Sequence, residues 1–166
     1  LIQRASEDLK YWRSMHLEPP RIAVNVSPIQ LAQKDFLQSL QELLQETNGR
    51  SDGLDIEITE SAVMEEVKEN IPKLKALREM GFRIAIDDFG TGYSSLAYLS
   101  RLPLDQLKID RAFVGDVLAD PADAVIAETI IAMGRHLGLE TVAEGVEPIP
   151  QLEFLAERNC NSYQGY

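Results

Sequence analysis

The sequence predicts an α/β protein built from repeated strand–helix units, and three observations carry that reading. Short β-like runs recur along the 166 residues, their starts about 22 to 34 residues apart. The segments between them carry helix start and stop signals. Each run also ends at or beside a polar residue. Such spacing fits a strand followed by a crossover helix, which makes the sheet parallel.

The runs are Arg21–Val26, Leu54–Thr59, Phe82–Ile86, Gln106–Ile109, Glu140–Ala143 and Ser162–Tyr166. Between the first two, "SPIQLAQKDFLQSLQELLQE" reads as one helix, with Ser27 as N-cap and Pro28 at the first helical position. A turn around Gly49 to Gly53 returns the chain to the next strand. "SAVMEEVKENIPKLKALREMG" places Leu74, Leu77 and Met80 at helical spacing, with Gly81 at the C-terminal end. Pro72 predicts a break or kink inside it. In "DPADAVIAETIIAMGRHLG", Asp120 caps, Pro121 starts and Gly138 ends the helix. "PQLEFLAERN" is a last, shorter one.

The polar residues decide between an open sheet and a closed one. Asn25, Glu57, Asp87, Lys108, Glu144 and Gln164 stand at the ends of successive runs. Side chains alternate along a strand, so Glu57 opposes Leu54, Ile56 and Ile58, and Lys108 opposes Leu107 and Ile109. A barrel converges such groups on its C-terminal mouth, where the active sites of these folds lie. A complete (β/α)8 barrel has eight strands and roughly 250 residues. The expectation is therefore one domain over 1–166, a partial barrel of about six strands, lacking its first strand or two and its final helix.

Composition narrows the chemistry. The chain is 45% hydrophobic and 26% charged, with a formal net charge of −11. Such a chain repels nucleic-acid polymers and anionic membranes unless cations intervene. No apolar run approaches the roughly 18 residues of a membrane span, and the N-terminus lacks a signal-peptide layout. A single cysteine, Cys160, excludes an internal disulfide and a cysteine metal cluster, and predicts a cytoplasmic setting. With only two histidines, any metal site is built mainly from oxygen donors.

Asn25, Glu57, Asp87, Asp88 and Glu144 are such donors, suited to Mg²⁺ or Mn²⁺. They suffice for two ions, and paired ions suit phosphoester hydrolysis. Lys108 then holds the attacking water or neutralises developing charge. The plainer readings are that a strand-end carboxylate is a helix cap or turn former, that Glu60 or Ser61 caps the following helix, and that Lys108 and Asp110 form a buried ion pair. Tyr11, Trp12 and His136 read as packing or surface residues. "GTGYSS" lacks the third glycine and the lysine of a phosphate loop.

"NVS", "EITE", "DDFGTGYSSL", "LKIDR", "AEGVE" and "QGY", in this order, resemble the EAL domain, the cyclic di-GMP phosphodiesterase. The resemblance covers essentially the whole chain. It implies a modified TIM barrel that hydrolyses cyclic di-GMP to linear pGpG with Mg²⁺ or Mn²⁺. By position, Asn25, Glu57 and Asp87 would bind the first metal, with Asp87 bridging to the second. Asp88 and Glu144 would serve the second, and Glu144 is also cast as general base. Lys108 would touch the catalytic water, supported by Asp110. Glu60 would anchor the loop carrying Gly90, Thr91 and Gly92, and Gln164 would lie near the substrate. The resemblance further implies a homodimer through the region of that loop, and sensor or diguanylate cyclase (GGDEF) modules in the full-length protein.

One departure stands out. The Glu-Ala-Leu signature belongs upstream of Asn25, yet the first 24 residues hold only Glu7 and Glu18, neither followed by Ala-Leu. The expectation is a truncated domain with little or no activity by itself. The alternative function is a non-catalytic module that binds cyclic di-GMP or a partner protein.

Overall fold

The computed structural model describes residues 1–46, 51–92 and 96–165. Gly49 and Arg50 of the predicted turn, Tyr93–Ser95 of "GTGYSS" and Tyr166 of the last run lie outside the described residues. The described chain divides into two compact units, Leu1–Ile58 with Ala62–Ile84, and Thr59–Ser61 with the chain from Ala85 onward.

In the first unit, α1 (Ile2–Ser14), α2 (Pro28–Ala32), α3 (Phe36–Glu46) and α5 (Val67–Glu79) accompany strands β1 (Ile22–Asn25) and β2 (Leu54–Thr59), with α4 (Glu60–Glu65) joining β2 to α5. β1 and β2 pair in parallel, Ile22 with Leu54 through Asn25 with Glu57. Leu9, Leu31, Leu54, Ile56, Leu74, Leu77 and Ile84 are fully buried. Each such side chain stabilises the fold by about 1.5–3 kcal/mol.

Two predicted helices are each split in two, and side chains explain both breaks. α2 opens with the predicted cap: Ser27 Oγ accepts from Gln30 N at 3.2 Å, and the Gln30 side chain accepts from Ser27 N at 3.1 Å. It ends when Gln33 turns extended (ψ 136°). The Leu31 carbonyl, which a continued helix would have used, accepts from Lys73 Nζ at 2.6 Å. The second break falls at Glu66, not at Pro72, which lies inside α5. Buried Asn70 donates its Nδ2 to the carbonyls of Ala62 and Val63 at 3.0 and 3.2 Å. It thus replaces the two backbone bonds that the break removes.

The second unit contains most of β3 (Arg83–Phe89), then α6 (Leu96–Leu99), β4 (Gln106–Ile109), α7 (Arg111–Gly115), α8 (Pro121–Leu137), β5 (Glu140–Glu144), α9 (Ile149–Glu157) and β6 (Ser162–Gln164). β3, β4, β5 and β6 pair in that order, all parallel. The caps of α8 are those predicted: Asp120 accepts from Ala122 N at 2.8 Å, and Gly138 ends the helix left-handed at φ 70°. Buried Gly134 has no room for a Cβ against Thr141, so α8 packs closely on β5.

β3 runs on past the predicted end at Ile86, through both aspartates to Phe89. Ile86 stands opposite Leu107 and Phe89 opposite Ile109, with a register shift between. Asp87 and Asp88 therefore face the single residue Lys108. This is a β-bulge, and Asp88 absorbs it with a left-handed backbone, φ 53°. Asn and Asp tolerate that region better than most residues.

Two outcomes follow. Asn70→Ala leaves two buried carbonyls unpaired and should cost about 1–3 kcal/mol in urea unfolding. Cys160 is held above the ordinary thiol range, first by burial, although it donates weakly to Thr141 O and Ser162 O. Near pH 8.5 the folded protein therefore carries less thiolate than the unfolded chain. Iodoacetamide should label it more slowly in buffer than in denaturant.

Candidate active site

β3, β4 and β5 end together, and their polar ends meet within the second unit. Oxygen atoms of Asp87, Asp88 and Glu144 all lie within 4.8 Å of one another. Glu144 follows two residues after Val142, the register partner of Lys108, so it projects on the same side of the sheet. Lys108, only 5% exposed, places its Nζ 2.8 Å from Asp87 Oδ1 and 2.7 Å from Glu144 Oε1. A buried ammonium requires such partners, because desolvation disfavours the bare charge.

The trio remains short of positive charge. Asp88 titrates above the ordinary carboxylate range, first through burial, then through repulsion by Asp87 and Asp110, a side-chain hydrogen bond with Asp110, and repulsion by Glu144. Asp110 also accepts from Ala112 N at 2.7 Å as the N-cap of α7. Lys108 pairs with Asp87 and Glu144, and Asp110 shares a hydrogen bond with Asp88.

The turn after β3 is fastened from below. Glu60, 2% exposed, accepts from Gly90 N at 2.9 Å and Gly92 N at 3.2 Å through one carboxylate oxygen. Thr91 Oγ1 donates to the Asp88 carbonyl at 2.8 Å. Gly90 has φ 105°, and a Cβ there would stand 2.8 Å from the Phe113 ring. Only glycine serves both demands.

Gln164 is the register partner of Glu144 across β5 and β6. Both line a cavity of about 700 Å³ together with Arg111, Asp116 and Glu147. None of these last three stands at a strand end, the position that marks the other polar residues, although Arg111 and Glu147 lie inside the motifs "LKIDR" and "AEGVE". Asn25 and Glu57 belong to the first unit, where they are register partners on β1 and β2, and Glu57 is buried.

A family model of the EAL domain matches residues 1–166. The chain belongs to the EAL domain family. It is 46% identical to the cyclic di-GMP phosphodiesterase NbdA of Pseudomonas aeruginosa, over the whole of this chain and 21% of that protein. It is 42% identical to MucR of the same organism, named a bifunctional diguanylate cyclase and cyclic di-GMP phosphodiesterase, of which it covers 24%. A solved MucR phosphodiesterase in complex with c-di-GMP superposes with a TM-score of 0.93, over 98% of this chain and 66% of that one. BlrP1 of Klebsiella pneumoniae, solved with manganese and cyclic di-GMP, is 30% identical with a TM-score of 0.80, over 99% of this chain and 43% of that one. The chain thus spans about a fifth to a quarter of the length of these curated relatives. These likenesses identify the fold as that of the family's TIM-like barrel, with six parallel strands among the described residues.

The Glu60 contact is open to test. Glu60→Ala removes the acceptor of two backbone N–H groups, so amide hydrogen exchange at Gly90 and Gly92 should accelerate by tenfold or more, on the order of 1–3 kcal/mol of lost protection.

Proposed function

We propose that the protein hydrolyses cyclic di-GMP to linear pGpG in a metal-dependent reaction. The observation that carries the reading is the meeting of Asp87, Asp88 and Glu144 around the buried ammonium of Lys108, in a chain of the EAL family. The donor set is all hard oxygen, with three carboxylates gathered about one ammonium, and fits divalent cations. Asp87, Asp88 and Glu144 would hold Mg²⁺ or Mn²⁺, and Asn25 and Glu57 keep their assignment as oxygen donors. When bound, the ions supply charge that neutralises the phosphodiester and favours ionisation of water.

The chain's own groups then have distinct tasks. Glu144 accepts a proton from the attacking water. The water oxygen bonds to phosphorus, one P–O bond of the ring breaks, and the leaving oxygen takes up a proton as a hydroxyl. Lys108 Nζ donates toward the attacking water or the charge developing on phosphate. Asp110 orients the start of α7 beside Asp88. Gln164 and the cavity it shares with Glu144 receive part of the dinucleotide. Glu60, Gly90, Thr91 and Gly92 hold the turn next to the aspartates.

The same reading extends to setting. Exposed Leu96 and Tyr98 on α6 support a homodimer through the region after the Asp87–Gly92 turn. Catalysis would take place in the cytoplasm. No helix among the described residues is long and apolar enough to cross a membrane. Sensor or diguanylate cyclase modules would accompany the domain in the full-length protein; MucR is named a bifunctional diguanylate cyclase and phosphodiesterase.

The test is cyclic di-GMP hydrolysis by the protein carrying this domain, with Mn²⁺ or Mg²⁺. Lys108→Ala and Glu144→Gln should each lower turnover by about 10²–10⁴-fold. Chelation by EDTA should abolish activity, and added Mn²⁺ should restore it. A wild-type protein that binds the dinucleotide yet never opens it under these conditions is a binding module instead.

A further inference from the structure

The Lys108 ammonium contacts carboxylates that the proposed ions would also use. Its ammonium bonds Asp87 Oδ1 at 2.8 Å and Glu144 Oε1 at 2.7 Å, two members of the oxygen cluster assigned to the ions. The bulge of β3 sets two carboxylates against this one lysine, and burial keeps water from replacing it. Asp88 brings a third carboxylate oxygen within 4.8 Å of those of Asp87 and Glu144.

We propose that Lys108 is an internal placeholder cation, which holds the acid cluster together without metal and competes with the incoming ion for Asp87 and Glu144. The inference rests on the metal centre proposed above. An ammonium and a divalent ion cannot both take the same carboxylate lone pairs at full strength. Metal entry therefore loosens Lys108 from at least one partner. The same event frees its N–H groups to point at water or phosphate, so the lysine becomes available for chemistry only once the ion has arrived. An empty site would remain closed on itself, with its carboxylates paired.

The test reads metal binding and folding without nucleotide. Mn²⁺ affinity is measured by calorimetry, and thermal unfolding is followed with and without Mn²⁺, for wild type, Lys108→Met and Lys108→Arg. Lys108→Met should melt at lower temperature than wild type without metal, and should bind Mn²⁺ more tightly, on the order of tenfold, the scale on which groups contacting ligands alter metal affinity. Lys108→Arg keeps the charge and should stay near wild type in both. If Lys108→Met is unfolded without metal, saturating Mn²⁺ should restore a cooperative transition, and failure to do so overturns the proposal. Unchanged or weaker Mn²⁺ binding by Lys108→Met overturns it too, as does equal tightening by Lys108→Arg. Absence of Mn²⁺ binding in the wild type overturns both this and the metal centre. A wild type that binds Mn²⁺ but never cuts cyclic di-GMP sinks the phosphodiesterase reading alone.

Discussion

Lys108 stands with its ammonium between Asp87 and Glu144, and the polar end of the second unit is arranged around that contact. Three acidic side chains at the ends of neighbouring strands would otherwise repel one another. The lysine offsets that repulsion while lying almost wholly inside the protein. Its own burial is tolerable for the same reason, since an ammonium without such partners would cost several kcal/mol. Charge and location support each other, and neither would be stable alone.

Both units are held by side chains that act for missing backbone. Asn70 supplies the bonds that the break between α4 and α5 removes. Glu60 supplies an acceptor to a turn whose amides point inward. Asp110 and Asp120 do the same at the starts of α7 and α8. Each is a polar residue beside a functional or connecting segment. Each fixes where that segment begins, so the strand ends arrive at defined positions.

Much of this was legible in the sequence, for identifiable reasons. The strands announced themselves because parallel strands buried on both faces are dense in Ile, Val and Leu, and their ends were marked by single polar residues. Asp120, Pro121 and Gly138 bounded α8 because caps are local chemistry. The helix breaks were less visible. Lys73 and Asn70 lie 42 and 7 to 8 residues from the carbonyls they bind, and no periodicity records such a reach. Pro72 drew the break to itself because proline is a local signal, whereas Asn70 acts through tertiary burial. Lys108 was placed at the site by its strand position, but its pairing with Asp87 and Glu144 depends on strand register. The bulge also escaped notice, because two adjacent aspartates read as the end of a strand and not as an irregularity within one.

That irregularity has a consequence for how the chain can vary. Along a regular strand, inside and outside follow the parity of the residue number. Ile84 and Ile86 point inward, so an uninterrupted count would send Phe89 out with Asp87. Phe89 is instead 5% exposed, opposite fully buried Ile109. The extra residue at the aspartates resets the phase, and everything after it inherits the correction. Losing one residue between Ile86 and Phe89 would turn the bulge into a regular strand, with one aspartate opposite Lys108 and Phe89 still on the side of Ile86. The extra residue therefore makes room for a second carboxylate at the strand end while the bulge keeps Phe89 buried.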